Sequence, residues 1–122
     1  MTSRLLSVGS VKHTVVYCTD EPGAGNACHE YEIKRRTVGK DQEPVLAKIN
    51  FQKGPIKENG VNGIHNEDLI CIVIDRLQGF QAGEYACEAN ALALTHLVKS
   101  LDALRARTNE RIARGVEGTS EV

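Results

Sequence analysis

Alternating apolar and polar residues predict β-strands in the first half of the chain. Residues 10–18 (SVKHTVVYC) are rich in β-branched side chains, which suit a pleated, half-buried strand. Residues 29–37 alternate apolar with charged positions, and residues 45–51 form a third run of this kind. Turn-forming residues occupy 19–26. Three runs with short connections predict an antiparallel sheet.

The apolar period changes to that of helices in the second half. Gly54–His65 is rich in glycine and is predicted to be irregular. Asn66 is a suitable N-cap for a first helix that runs to about Gln78 and ends at Gly79. A second helix is predicted over residues 83–113, which is about 45 Å at 1.5 Å per residue.

The long helix carries a leucine seam that predicts contact with another copy of the chain. Its leucines recur at spacings of three and four, at Leu94, Leu97, Leu101 and Leu104. A helix of this length cannot be covered by one short helix and three strands. Aromatic residues make up only 4% of the chain, which predicts an aliphatic and thin core. A solvent-exposed helix end is the alternative.

These elements predict an α+β fold in which an antiparallel sheet of about three strands precedes an α-helical hairpin with one long helix. A length of 122 residues fits one domain. The predicted organisation is a single domain over 1–122, with the sheet at 10–53, the hairpin at 66–114 and a C-terminal tail at 115–122.

Charge and cysteine content narrow the class of protein. A net charge of -1 gives no bulk attraction to nucleic acid or membranes. The sequence shows no apolar run typical of a signal peptide or a membrane span, so a cytosolic protein with reduced thiols is expected. Cys71 is expected to pack in its helix. Cys28 and His29 could ligate a metal with Cys18 and His13, but tight ligand pairs are missing and no metal site is predicted.

Arginines and glycines gather where the long helix ends. Guanidinium groups suit phosphate oxygens and stack on bases, and a glycine-rich tail can offer backbone N–H groups to an anion. Solvated arginines that match the helix dipole are the alternative. The candidates are Arg105, Arg107, Arg111, Arg114, Gly115, Val116, Gly118 and Thr119.

The turn between the helices is a second candidate region. Phe80 lies between Gly79 and Gly83, where its ring could stack on a base. Asn90 follows in the long helix, and its amide could read an adenine edge. Alternatively, Phe80 is a plug under the turn and Asn90 a polar residue that sets the helix register.

Motifs of catalysis are not found in the sequence. Residues 54–63 lack the Walker pattern, which excludes a nucleotide-hydrolysing loop there. The segment is expected to shape a pocket wall or to be only a connection between strand and helix. The histidines lie on different predicted elements, and no G-x-S-x-G or H-E-x-x-H motif accompanies them. We therefore predict a binding protein without catalytic residues or a cofactor. A small hydrolase stays an alternative, because triads assemble from distant residues. An accessory protein associated with nucleic acid is a further alternative.

Several sequence stretches resemble the bacteriophage Thoeris anti-defence sponge family, whose helical hairpin is shared with phage anti-CBASS proteins. The similarity covers about residues 50–120. It is carried by GPIKENGVNG at 54–63, NEDL at 66–69, GFQ at 79–81, NALAL at 90–94 and RARTNERIARGVEGT at 105–119.

The resemblance implies a sponge that captures a host immune signal and does not cleave it. That signal is a cyclic ADP-ribose isomer made by a TIR-domain enzyme, and some relatives also hold cyclic di- or trinucleotides at separate sites. The implied assembly is a homo-oligomer, a dimer or a trimer of dimers, with pockets at subunit interfaces. Neither a membrane nor a nucleic-acid polymer is an expected partner, and the implied location is the cytoplasm of the infected bacterial host cell.

The resemblance also implies roles for the candidate residues. Phe80 would stack on adenine, with Arg107 on the other face or on phosphate. Asn90 would contact the base or a ribose, and Gln81 belongs to the same set. The remaining candidates would bind phosphates or close the pocket: Arg105, Arg111, Arg114, Gly115, Val116, Gly118 and Thr119.

Overall fold

The computed structural model describes residues 3–8, 12–36 and 44–122. It confirms the predicted α+β class, with an antiparallel sheet before the helices. The strands are β1 (Arg4–Leu5), β2 (Thr14–Cys18), β3 (Glu30–Arg35) and β4 (Val45–Asn50). The helices are α1 (Ile56–Asn59), α2 (Asn66–Gln81) and α3 (Glu88–Arg114), and a 3-10 turn lies at Ala24–Asn26.

The strands pair in chain order, each antiparallel to the next. Each of the three predicted strands contains an observed one, and the predicted residues 10, 11 and 37 lie outside the described residues. The fourth strand, β1, was not predicted, since two residues are too few to show an alternation. It pairs with β2, with Arg4 opposite Cys18.

Contacts divide the chain into two compact units. The sheet unit runs to Gly54 and includes Asn59–Ile64, and the hairpin unit comprises Pro55–Glu58 and His65–Val122. The prediction of a single domain over 1–122 stays a prediction.

The sheet unit has a small buried core. Val15 and Cys18 are its buried apolar residues in the described part of the chain, and the rings of Tyr31 and Phe51 meet edge-on with centroids 5.8 Å apart. Gly63 lies against this core because a Cβ there would come within 2.4 Å of the carbonyl carbon of Phe51. The scarcity of aromatic residues thus gives the thin core that the composition predicts.

Helix α2 begins and ends at other residues than the sequence predicts. His65, not Asn66, is the N-cap, and its backbone N–H donates to the Asp68 carboxylate at 2.8 Å. The helix continues through Gly79 to Gln81, so the prediction that Gly79 ends it is wrong. A helical glycine costs only about 1 kcal/mol, which the contacts of the final turn can offset.

Helix α3 confirms the long second helix, but it begins at Glu88, later than predicted. It ends at Arg114, where Gly115 adopts the left-handed conformation with φ of 74°. Leu101 of the predicted seam is buried, whereas Cys71 of α2 is exposed and does not pack as predicted. No helix in the described ranges combines the length and apolar character needed to cross a bilayer.

Candidate ligand-binding site

An aromatic and cationic cluster lies at the turn end of the hairpin. It comprises Arg76, Phe80, Tyr85 and Asn90, and we call it the turn-end cluster. The guanidinium carbon of Arg76 lies 5.4 Å from the centroid of the Phe80 ring. The Tyr85 ring meets that of Phe80 edge-on, with centroids 6.2 Å apart. Phe80 is 36% exposed and Tyr85 is 74% exposed, so a ligand in solvent can reach both rings.

The position of Phe80 excludes a fully buried plug under the turn. The ring projects from the last turn of α2, and stacking on a base stays a prediction. Sequence reasoning missed Arg76 and Tyr85 as neighbours of this ring. For Arg76 a signal was available, because it precedes Phe80 by one helical turn and residues at that spacing share a helix face.

Two amide side chains fix the connection between α2 and α3. The Gln81 amide donates to the carbonyl of Cys87 at 3.1 Å and accepts from its backbone N–H at 2.9 Å. Asn90 donates from Nδ2 to the carbonyl of Tyr85 at 3.3 Å. Gln81 therefore supports the turn, whereas Asn90 uses one of its four hydrogen-bonding positions and keeps capacity for a ligand.

The arginine at the centre of the predicted phosphate set is engaged within the protein. Arg111 is 5% exposed and directs Nη2 at the carbonyls of Val116 and Thr119, 3.0 and 3.1 Å away. Its Nη1 donates to the carbonyl of Glu121, and its Nε lies 3.5 Å from the Glu117 carboxylate. Arg111 therefore holds the C-terminal tail, and its predicted contact with phosphate would require this network to open.

The other arginines of α3 are exposed and differ in their partners. Arg114 pairs with Glu110 one turn earlier and donates to the carbonyl of Val122 at 2.9 Å. Arg105 reaches the Cys71 sulfur on α2 at 3.9 Å. The side chain of Arg107 has no hydrogen bond or ion pair with any residue that the structure describes. Of the predicted arginines, Arg107 is thus the freest to bind an anion.

The glycine-rich tail folds back as a compact C-terminal loop. The backbone N–H of Val116 donates to the carbonyl of Arg111 at 3.1 Å, which completes a Schellman-type helix end. The Thr119 hydroxyl donates to the carbonyl of Val116. Gly118 has φ of +81° and accepts from the Lys57 N–H at 3.0 Å. The tail therefore folds around the Arg111 side chain. Closure of the tail over a ligand stays a prediction.

The predicted site residues form two separate groups in one chain. The contact of Arg105 with Cys71 and that of Gln81 with Cys87 show that α2 and α3 run antiparallel. Asn90 and Arg111 are 21 residues apart in the chain, which is about 32 Å along a helix. Phe80, Gln81 and Asn90 therefore meet at the turn end, and the tail group lies at the other end of α3.

The fold and the site define a class of small proteins in which a helical hairpin carries an exposed aromatic and arginine cluster at its turn. Residues 43–108 match the family model described as "Acb2/Tad1, hairpin domain". The chain therefore belongs to the Acb2/Tad1 hairpin family, which confirms the resemblance to Thoeris anti-defence proteins. The matched region contains the whole turn-end cluster together with Arg105 and Arg107, and it ends before Arg111.

A curated relative agrees with this family assignment. The chain is 54% identical over 88 residues to "Thoeris anti-defense 1" of Bacillus phage SBSphiJ7. The aligned region is 72% of this chain and 61% of the relative. The chain thus spans about three fifths of the length of the relative that it matches.

Proposed function

We propose that this protein binds a cyclic ADP-ribose isomer, does not cleave it, and so blocks Thoeris-type immunity. It would act in the cytoplasm of the infected bacterial cell, where such a signal is made. The family assignment supports a phage anti-defence role, and the name of the curated relative refers to the Thoeris system. A non-catalytic sponge fits this role because capture alone removes the signal from its effector.

The observation that carries the proposal is the exposed Phe80 ring with the Arg76 guanidinium over it. An aromatic face accepts any base, and a guanidinium group stacks on a base or pairs with a phosphate. Asn90 adds an amide that can donate and accept at a base edge or a ribose. The turn-end cluster therefore offers the three kinds of contact that an adenine nucleotide requires.

The energy of binding favours a site that combines two copies of the chain. Nanomolar affinity needs about 12 kcal/mol, whereas stacking supplies about 1–3 kcal/mol per base and a charge-assisted hydrogen bond about 1.5–3 kcal/mol. The contacts of one turn-end cluster supply less than the binding free energy of about 12 kcal/mol that nanomolar affinity requires. Arg105 and Arg107 are 15 and 17 residues beyond Asn90, about 22–26 Å along α3, so they would join the site from another subunit.

Exposed apolar side chains on the hairpin support a homo-oligomer, either a dimer or a trimer of dimers. Leu101 and Arg111 are the buried residues of α3, and α2 has none. Two helices that expose this much apolar surface suit a further layer of helices. The exposed apolar residues are Ile72, Val73, Leu92, Val98 and Ile112.

Titration calorimetry with a panel of cyclic ADP-ribose isomers tests the proposal. We expect tight binding of at least one isomer, weaker binding of linear ADP-ribose, and recovery of unchanged ligand from the heated complex. Cyclic di- and trinucleotides in the same panel test for a further ligand class. A cleaved product would identify a hydrolase instead, and binding to generic duplex DNA that falls steeply with salt would identify a nucleic-acid protein.

A further inference from the structure

Three metal-ligating side chains meet at the connection between β2 and β3. The sulfurs of Cys18 and Cys28 and a carboxylate oxygen of Asp20 all lie within 4.8 Å of one another. Cys18 ends β2 and is fully buried, whereas Asp20 and Cys28 are half-buried. The sequence analysis considered Cys18 and Cys28 as possible ligands together with His13 and His29, but it predicted no metal site because tight ligand pairs are missing. It placed Asp20 only in a turn.

Backbone N–H groups hold the Asp20 carboxylate in place. The His29 N–H donates to both oxygens at 3.1 and 3.0 Å, and the Glu30 N–H donates to Oδ1 at 3.1 Å. These hydrogen bonds orient the carboxylate. Its Oδ1 also accepts from the Cys18 thiol at 3.6 Å, whereas Oδ2 accepts only from the His29 N–H among the described residues and keeps a lone pair for a cation.

The Arg4 guanidinium and the His29 ring lie beside the three side chains Cys18, Asp20 and Cys28. Arg4 directs Nη2 at the Cys28 sulfur at 4.0 Å. The His29 ring lies beside Asp20, with Nδ1 3.8 Å from Oδ2. The space for this ring depends on Gly23, because a Cβ there would come within 2.7 Å of Cε1. Outer groups of this kind orient metal ligands and tune their charge.

We propose that Cys18, Asp20 and Cys28 bind a divalent zinc-class ion, with a fourth position open to solvent. Two thiolates select zinc over magnesium or calcium. Bonds of about 2.3 Å at tetrahedral angles place two sulfurs about 3.8 Å apart, so the two sulfurs approach each other by no more than about 1 Å. Two thiolates and one carboxylate leave one net negative charge on the divalent ion, which the Arg4 guanidinium offsets.

The small core of the sheet unit gives such an ion a structural role. Below about 70–80 residues a single apolar core supplies little net stability, and a metal is one of the usual supplements. The ion would join the end of β2 to the loop that leads into β3. Both thiols release a proton to solvent on binding, and no oxidant or reductant takes part.

Metal content and cobalt spectroscopy of the full, untagged chain test the proposal. After reduction and equilibration with zinc, followed by removal of free ion, we expect one zinc per chain by mass spectrometry. Replacement by Co²⁺ should give sulfur-to-cobalt absorption. In Cys28→Ser and Asp20→Asn the zinc affinity should fall at least about 100-fold, which exceeds the roughly 10–100-fold cost of an outer-shell loss.

A matched control uses the two cysteines outside the trio. Cys71 and Cys87 are exposed and lie in the hairpin unit, so the Cys71→Ser/Cys87→Ser variant should keep full stoichiometry and the cobalt spectrum. Cys28 is the decisive position because Cys18 is buried and its replacement could unfold the sheet. Wild-type protein without zinc, undiminished affinity in Cys28→Ser, or a disulfide between Cys18 and Cys28 in thiol-blocked lysate would each overturn the proposal.

Discussion

Replacing Phe80 with alanine separates stacking on a ligand from packing within the protein. The ring is 36% exposed, so the variant loses about two thirds of a full burial, or roughly 1–2 kcal/mol of folding stability. The contact with Arg76 adds about 0.5–1 kcal/mol at an exposed position. We expect a folded variant with an unchanged oligomeric state and a lower Tm, measured by light scattering and calorimetry.

Ligand affinity should respond more strongly than stability in the Phe80→Ala variant. Loss of stacking, at about 1–3 kcal/mol per base, corresponds to a Kd about 5- to 150-fold higher. Titration calorimetry with the isomer that binds most tightly measures this change. Phe80→Tyr keeps the aromatic face and should bind within a few-fold of the wild type, whereas Phe80→Leu keeps the apolar volume and should bind weakly.

Two results would refute the stacking hypothesis. The first is wild-type affinity in Phe80→Leu, since apolar contact without an aromatic face would then suffice. The second is dissociation or unfolding of Phe80→Ala, since the ring would then be part of the core or of the subunit interface.

Substitutions at other residues separate effects on ligand binding from effects on folding stability. Arg107→Ala should weaken ligand binding about 10- to 100-fold, as expected for one charge-assisted hydrogen bond, and should leave urea unfolding within about 0.5 kcal/mol of the wild type. Arg111→Ala should lower the free energy of unfolding by about 3–5 kcal/mol, because the buried tail oxygens lose their partner; a change below 1 kcal/mol would contradict its role as the tail anchor. Gly118→Ala should cost about 1–2 kcal/mol at its positive φ, measured in the same urea titration. Burial alone would raise the pKa of Asp20, but the hydrogen bonds from the Glu30 and His29 N–H groups outweigh it and hold the pKa below its ordinary value of 3.8. The stability that this carboxylate contributes is therefore present above pH 3.8 and is lost as the pH falls through its folded-state pKa. Asp20→Asn should flatten the acid side of the curve of unfolding free energy against pH, and an unchanged curve would contradict this assignment.

The sequence predicted the kinds of elements well and their ends less well. Three strands and two helices, one of them long, follow from apolar periods of two and 3.6 residues, which are local properties. Both ends of α2 were misplaced, because the preference for an N-cap residue at its start and the helix-ending tendency of glycine at its end are each worth only about 1 kcal/mol. Contacts such as that of Gln81 with Cys87 exceed such preferences, and they are not visible in a sequence window.

The sequence predicted Phe80 and Asn90 of the turn-end cluster, but not Arg76 or Tyr85 and not the partners of the arginines. Phe80 and Asn90 were correctly placed near the turn, because the two helices bracket it. The availability of each arginine could not be predicted, since Arg107 and Arg111 are four residues apart on one helix and yet one is exposed and the other buried. That difference depends on the tail, which turns back only after Gly115.

By itself, the sequence determined an α+β chain with a helical hairpin, an aromatic residue at its turn and arginines near its end. Tertiary structure alone enclosed Arg111 in the tail, left Arg107 exposed and brought Cys18, Asp20 and Cys28 together. The physical reason is that element type depends on neighbours within a few residues, whereas the partners of a polar side chain depend on where distant segments return in space.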